Sequence, residues 1–225
     1  QYVKDTYDVV GNFGYRNFGN YKDGDGTTIP SSFKSTDYGV KIGYNFTDDE
    51  RIQLHWRQSF GRDVLHAGLP MDTEYDNSSI ASLDYKKSNL NGLVKSISAK
   101  GYYSYVDHLM SNTNRPSFMM MEAESGVNAT TAGGKIEIQW EPSKNLTLFS
   151  GLDAMLVSRD GKRTRVVKMM NGNLLPNPMT FNDKVWQNSY VNDYGLFTEA
   201  KWLISNNTLF TGGLRYDLVV SNILD

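Results

Sequence analysis

The sequence predicts an antiparallel β-barrel that crosses a membrane, and three observations carry that reading. Apolar and polar residues alternate with period two in nine segments. The connections alternate strictly between short turns and long polar stretches, and an aromatic residue stands beside each short turn.

The segments lie at about 4–17, 36–46, 51–60, 79–86, 93–110, 131–140, 146–158, 189–202 and 208–220. In the second, Tyr38, Val40, Ile42, Tyr44 and Phe46 share one face, and Gly39, Lys41, Gly43 and Asn45 the other. The third sets Ile52, Leu54 and Trp56 against Arg51, Gln53, His55 and Arg57. The fourth is the least regular. The fifth puts Ile97, Ala99, Tyr103 and Tyr105 towards lipid and Lys100, Tyr102 and Ser104 towards a lumen. In the sixth, Ile136, Ile138 and Trp140 oppose Lys135, Glu137 and Gln139. In the last three, Asp153, Glu199, Lys201 and Arg215 fall on the polar alternates. The reverse assignment is excluded, because each Arg or Lys near the bilayer midplane would cost roughly 2–4 kcal/mol.

The short turns are "TDDE", "KKSNLN", "EPSKN" and "LISNN"; the long connections cover about 18–35, 61–78, 111–130 and 159–188. Transmembrane barrels have short turns on the periplasmic side and long loops outside. Phe46, Tyr85, Trp140 and Trp202 stand at the four short turns, where amphipathic rings are favoured at headgroup level.

Composition agrees. A mean hydropathy of −0.49 does not exclude a membrane, because barrel strands alternate apolar and polar residues. No apolar run reaches helical spanning length. The absence of cysteine excludes thiolate metal sites, and a net charge of −2 with scattered cations excludes a nucleic-acid partner. Bacterial single-chain barrels close with an even number of strands, so nine segments imply a piece of a larger barrel. Residues 1–225 then form part of one barrel domain.

The stretch "NDYGLFTEAKWLISNNTLFTGGLRYD", residues 192–217, resembles the barrel hairpins of TonB-dependent outer-membrane receptors. Within that superfamily "YYSYVDHLMSN", followed by a Met-bearing segment and "TTAGGKIEIQW", is similar to the copper-receptor branch. The resemblance implies a plugged barrel of about 22 strands in the outer membrane of a Gram-negative bacterium, in contact with lipid and driven by the TonB complex through the plug, with residues 1–225 part of its one barrel domain and the N-terminal plug outside this chain. It also implies copper as the transported ligand, no resident cofactor, and two barrel ligands, His108 and Met110, with the remaining ligands on the plug.

The residues point the same way. Continuing the alternation of the fifth segment turns His108 and Met110 both inward, at its long-connection end. Imidazole with thioether is a borderline-to-soft donor pair, and thioether selects Cu(I) over Mg, Ca or Zn. Eight of the nine methionines fall in the long connections or at their mouths. Met119, Met120 and Met121, and His66 with Met71, are accordingly candidates for a secondary metal site or a loop lid. No Gly-x-Ser-x-Gly elbow, phosphate loop or metal-hydrolase motif appears, so the chain does not read as an enzyme. The alternative substrate is an iron-siderophore or another scarce nutrient.

Overall fold

The computed structural model describes residues 1–224. Ten strands form one antiparallel sheet in the order β1 (Tyr2–Val3), β2 (Tyr7–Phe18), β5 (Phe33–Thr47), β6 (Glu50–Val64), β7 (Asp72–Lys87), β8 (Val94–Ser111), β9 (Met121–Ser143), β10 (Leu146–Met170), β11 (Asn173–Ser205) and β12 (Thr208–Ile223). A small hairpin, β3 (Tyr21–Lys22) with β4 (Thr28–Ile29), decorates the β2–β5 connection. Among the described residues no helix is long and apolar enough to cross a membrane.

The two faces of this sheet are chemically opposite. One row of paired residues runs Tyr7, Tyr44, Ile52, Tyr85, Ala99, Ile136, Leu152, Leu196 and Tyr216, crossing nine strands without a charge. The next row, one residue along each strand, runs Asp8, Gly43, Gln53, Asp84, Lys100, Lys135, Asp153, Gly195 and Asp217. Period two makes adjacent rows face opposite sides. Nothing in the chain covers either face: among the described residues Ala123 is the one buried hydrophobic side chain. An uncovered apolar face this broad requires hydrocarbon as its solvent, so it is the lipid side and the charged face is the lumen.

The lumen charges pair with one another. Arg215 forks onto Asp153 at 2.7 and 2.8 Å, Lys100 meets Asp84 at 3.1 Å and Arg51 meets Asp8 at 2.6 Å. Glycine makes two of these contacts possible. A Cβ at Gly43 or Gly195 would strike the guanidinium of Arg51 or Arg215, so only glycine lets either side chain lie flat on the sheet. The lumen also explains the irregular fourth segment. Ile80, apolar, pairs with Arg57 and Ser104 on the charged side.

The membrane-spanning height is readable along β10. Leu148 lies opposite Trp140 and Ser158 opposite Tyr190, ten residues further on, which matches the roughly 9–11 residues a tilted strand needs. One pleat beyond that upper level the outward face turns polar, through Asn77, Asp107, Asn128 and Asp160. Nitroxide labels at Val40 and Ile42 are expected to be relaxed by oxygen dissolved in lipid and not by a water-soluble nickel chelate. Strong nickel accessibility would reverse the two faces.

Three expectations need correction. Residues 4–6 belong to no strand; they form the turn between β1 and β2, closed by the Lys4 N–H donating to the Tyr7 carbonyl at 2.8 Å. Most of 159–188 is strand rather than loop, since β10 and β11 run on to a two-residue turn at Asn171–Gly172. Both turn residues have positive φ, 50° and 80°, the backbone of the Asn-Gly hairpin turn. Likewise 61–78 and 111–130 are largely strand extensions, leaving only 65–71 and 112–120 as connections. Met110, Met121, Met169, Met170 and Met179 therefore sit in strands.

Candidate functional site

β8 carries His108 and Met110 beyond the apolar height, on the lumen face. His108 lies opposite Asp76 on β7 and Val127 on β9; Met110 lies opposite Thr73 and Ser125. The β7–β8 register slips once, between Thr73 and Tyr75. The extra residue, Glu74, forms a bulge that brings Thr73 in front of Met110, and Glu74 itself accepts a hydrogen bond from the Ser111 hydroxyl.

Nδ1 of His108 is 2.9 Å from Oδ2 of Asp76. A carboxylate can only accept here, so Nδ1–H donates and the Nε2 lone pair is left for a ligand. Metal-ligating histidines are commonly oriented in this way by a carboxylate. Met110 adds a thioether from the same face. Among the described residues no three His, Cys, Asp or Glu side chains converge at metal-binding spacing.

The connection 65–71 is tied to this end of the sheet. The His66 N–H donates to Asp72 Oδ1 at 2.9 Å, and His66 Nε2 lies 3.0 Å from the hydroxyl of Thr73, the residue opposite Met110. His66 is thus brought to the same patch as the His108–Met110 pair. Met71 immediately precedes buried Asp72, whose carboxylate is gripped by Arg115 from the facing connection. That second connection is locked by Asn112, 2% exposed: its amide donates to the Met121 carbonyl at 2.6 Å and accepts from the Ala123 N–H at 2.8 Å.

The methionine triplet lies elsewhere. Met119 ends a single 3-10 turn, Pro116–Met119, and Met120 follows it; both are exposed. The Met120 carbonyl accepts the N–H groups of Lys168 and Met169 at 2.9 and 3.1 Å. Met121 is four residues from Ser125, the partner of Met110, which places it about 13 Å further out along the strand. The structure therefore separates the triplet from His108 and Met110 and sets it at the rim.

Two strands away, the β10–β11 extension is held by charge. Asp183 accepts from Arg163 Nε at 2.9 Å and from Arg165 at 3.1 and 3.3 Å. The Arg163 hydrogen bond, with Arg165 beside it, holds the Asp183 carboxyl below the ordinary aspartate range. A depressed folded value means the tie is present at neutral pH and is lost as pH falls below about 4. Trp186, three residues away, is expected to report that loss as a fluorescence change in acid titration. An unchanged signal down to about pH 2 would remove Asp183 as the clasp.

No protein-family model and no curated protein sequence matches the chain. Solved structures do match. Over 98% of its length the chain superposes on the copper transporter OprC with a TM-score of 0.83 and 25% identity, covering 34% of that protein. It also superposes on the FrpB iron transporter from Neisseria meningitidis, with a TM-score of 0.68, 17% identity, 98% of this chain and 38% of that one. A third match is the outer membrane transporter YddB from Escherichia coli, with a TM-score of 0.55, 12% identity, 99% of this chain and 34% of that one. The chain thus spans a little over a third of each of these structures, and all three are transporters rather than enzymes.

Fold and comparisons together define the wall of a transmembrane β-barrel. Within that class the chain resembles a partial barrel of the TonB-dependent receptors, on the side of their copper branch.

Proposed function

We propose that this barrel wall belongs to a TonB-dependent receptor in a Gram-negative outer membrane that captures copper at its outer face and imports it. The observation that carries the reading is the His108–Met110 pair, turned to one face by the strand period, with Asp76 orienting the imidazole. The similarity to a copper transporter supports it. The receptor's plug enters the lumen, supplies the remaining ligands and passes energy from TonB. His66, Met71 and the Met119–Met121 triplet serve as secondary soft contacts or lid residues along the approach.

A hard cation such as Mg²⁺ would find one imidazole and no oxygen cage here, whereas a soft ion finds sulfur and nitrogen together. The test is retention: the purified complete receptor, exposed to equal copper and zinc and then desalted, keeps copper by elemental analysis. Retention of neither metal would promote the alternative, an iron chelate or other scarce nutrient. Asp76→Asn removes the carboxylate that orients the imidazole, and it is expected to weaken copper binding roughly 10–100-fold with the barrel intact. An unchanged affinity would make the Asp76 contact purely structural.

A further inference from the structure

The lipid face carries a groove whose course is set by the tilt of the strands. Tyr85 and Trp140 both stand at short turns, at headgroup level. Tyr85 pairs through Ala99 with Ile136, which is four residues above Trp140 on β9, and Ile136 pairs with Leu152 on β10. Leu152 lies between the levels of Leu148 and Ser158, so this row climbs from the interface at Tyr85 to mid-bilayer. The row one pleat above it runs Leu83, Gly101, Gly134 and Ala154. Its small residues leave an apolar groove of about 610 Å³, walled by Leu83, Tyr85, Ile136, Leu152 and Tyr194.

At Tyr85 the groove meets a charged cluster. Glu50 and Lys87 face each other across β6 and β7, on the lipid side and next to the turns 48–49 and 88–93. The Tyr85 hydroxyl donates to Glu50 Oε1 at 2.7 Å and Lys87 Nζ donates to Oε2 at 2.9 Å. Glu50 thus fixes both partners, yet an ammonium has three N–H groups and one is spent on this contact. The Lys87 side chain is 42% exposed, and each Glu50 oxygen keeps a further lone pair. Asp48 and Asp49 occupy the turn that leads into Glu50, so this strand end presents three consecutive carboxylates beside Lys87.

Groove and cluster together describe one ligand. A chain that enters hydrocarbon from headgroup level follows the climb of the row, and Lys87 lies two pleats from Leu83, about 13 Å, along the start of that course. The spare Lys87 donors suit a phosphodiester, because charge-assisted hydrogen bonds are the strong ones. The three carboxylates oppose a headgroup of net negative charge and receive a primary ammonium. We propose that Glu50, Lys87 and the groove over Gly101 and Gly134 bind one phosphatidylethanolamine of the periplasmic leaflet, with its phosphate on Lys87, its ammonium on Glu50 and an acyl chain in the groove. This rests on the lipid-face assignment and on the short turns being periplasmic, and it is independent of the copper reading.

The experiment mixes the complete receptor in detergent with equimolar dioleoyl phosphatidylethanolamine and dioleoyl phosphatidylglycerol and counts the retained lipid by native mass spectrometry. Wild-type receptor keeps one phosphatidylethanolamine, preferred about tenfold over phosphatidylglycerol. Lys87→Gln weakens retention of both lipids, whereas Glu50→Gln abolishes the preference between them. Gly101→Leu fills the groove and lowers retention of both roughly tenfold, with the preference kept. A Cβ at Gly101 meets nothing within 4 Å, so this variant keeps the test sharp if a charge variant fails to fold. No retained phospholipid, equal retention of the two headgroups or a preference for phosphatidylglycerol, a preference that survives Glu50→Gln, or full retention in Gly101→Leu each overturns the site. Failure of the copper reading looks different: Glu50, Lys87 and Gly101 lie on the face opposite His108 and Met110, so a receptor that holds no copper would still show the lipid preference.

Discussion

Replacing Met110 by leucine or His108 by alanine is expected to strip most bound copper from the complete receptor, with folding unchanged. Both side chains face the lumen beyond the apolar height, so neither supports the lipid-facing surface. Losing an outer-shell partner already costs roughly 10–100-fold in affinity, so loss of a direct ligand should cost at least that. Met110→Leu is the cleaner change, since it preserves volume and removes only sulfur. Zinc serves as the control: it tolerates imidazole but has little use for a thioether, so Met110→Leu should separate the two metals. Unchanged copper in both variants would reduce the pair to ordinary lumen residues.

The lipid and lumen faces were legible in the sequence because alternation is a local property, and each strand reports it independently. Tyr44, Ile52, Ile136 and Leu152 fall on one row as the pattern requires. Strand ends were less legible. Beyond the bilayer the outward face no longer has to be apolar, so the alternation fades at Asn77, Asp107 and Asn128 while the hydrogen-bonded ladder continues. Hence 159–188 reads as a loop although it is paired backbone, and the informative signal was the Asn171–Gly172 dipeptide at its tip.

Asp76, the orienting carboxylate, was hidden for a different reason: partnership across strands depends on register. It was nevertheless recoverable. Lys87 pairs with Ile97 across the short turn, and counting back eleven residues and forward eleven lands on Asp76 and His108. The same count would have missed Thr73, because the Glu74 bulge shifts the register just beyond. The approach of His66 to Thr73, and the grip of Arg115 on Asp72, depend on how two connections fold against each other. No strand period encodes that.

The second large effect concerns the apolar face. Leu152 lies midway between the level of Trp140 and that of Tyr190, 58% exposed on the lipid side, with Ile136 and Leu196 as its neighbours in the row. Leu152→Arg therefore places a cation near the bilayer midplane, at a cost of roughly 2–4 kcal/mol. Met155→Arg, three residues along the same strand, is the control. Met155 pairs with Gly133 and Asp193 on the charged side, where water and a carboxylate receive the new guanidinium. Its change should stay within roughly 1 kcal/mol, as for a surface substitution away from the packed core. Denaturant titration of the complete receptor folded in lipid vesicles, read by the gel shift of the folded barrel, measures both. Equal costs would mean that the faces are not distinguished by solvent. A larger cost for Met155→Arg would place the lipid on the side that carries Asp153, Lys135 and Arg215, where at least three charges would have to be buried in hydrocarbon for the fold to persist.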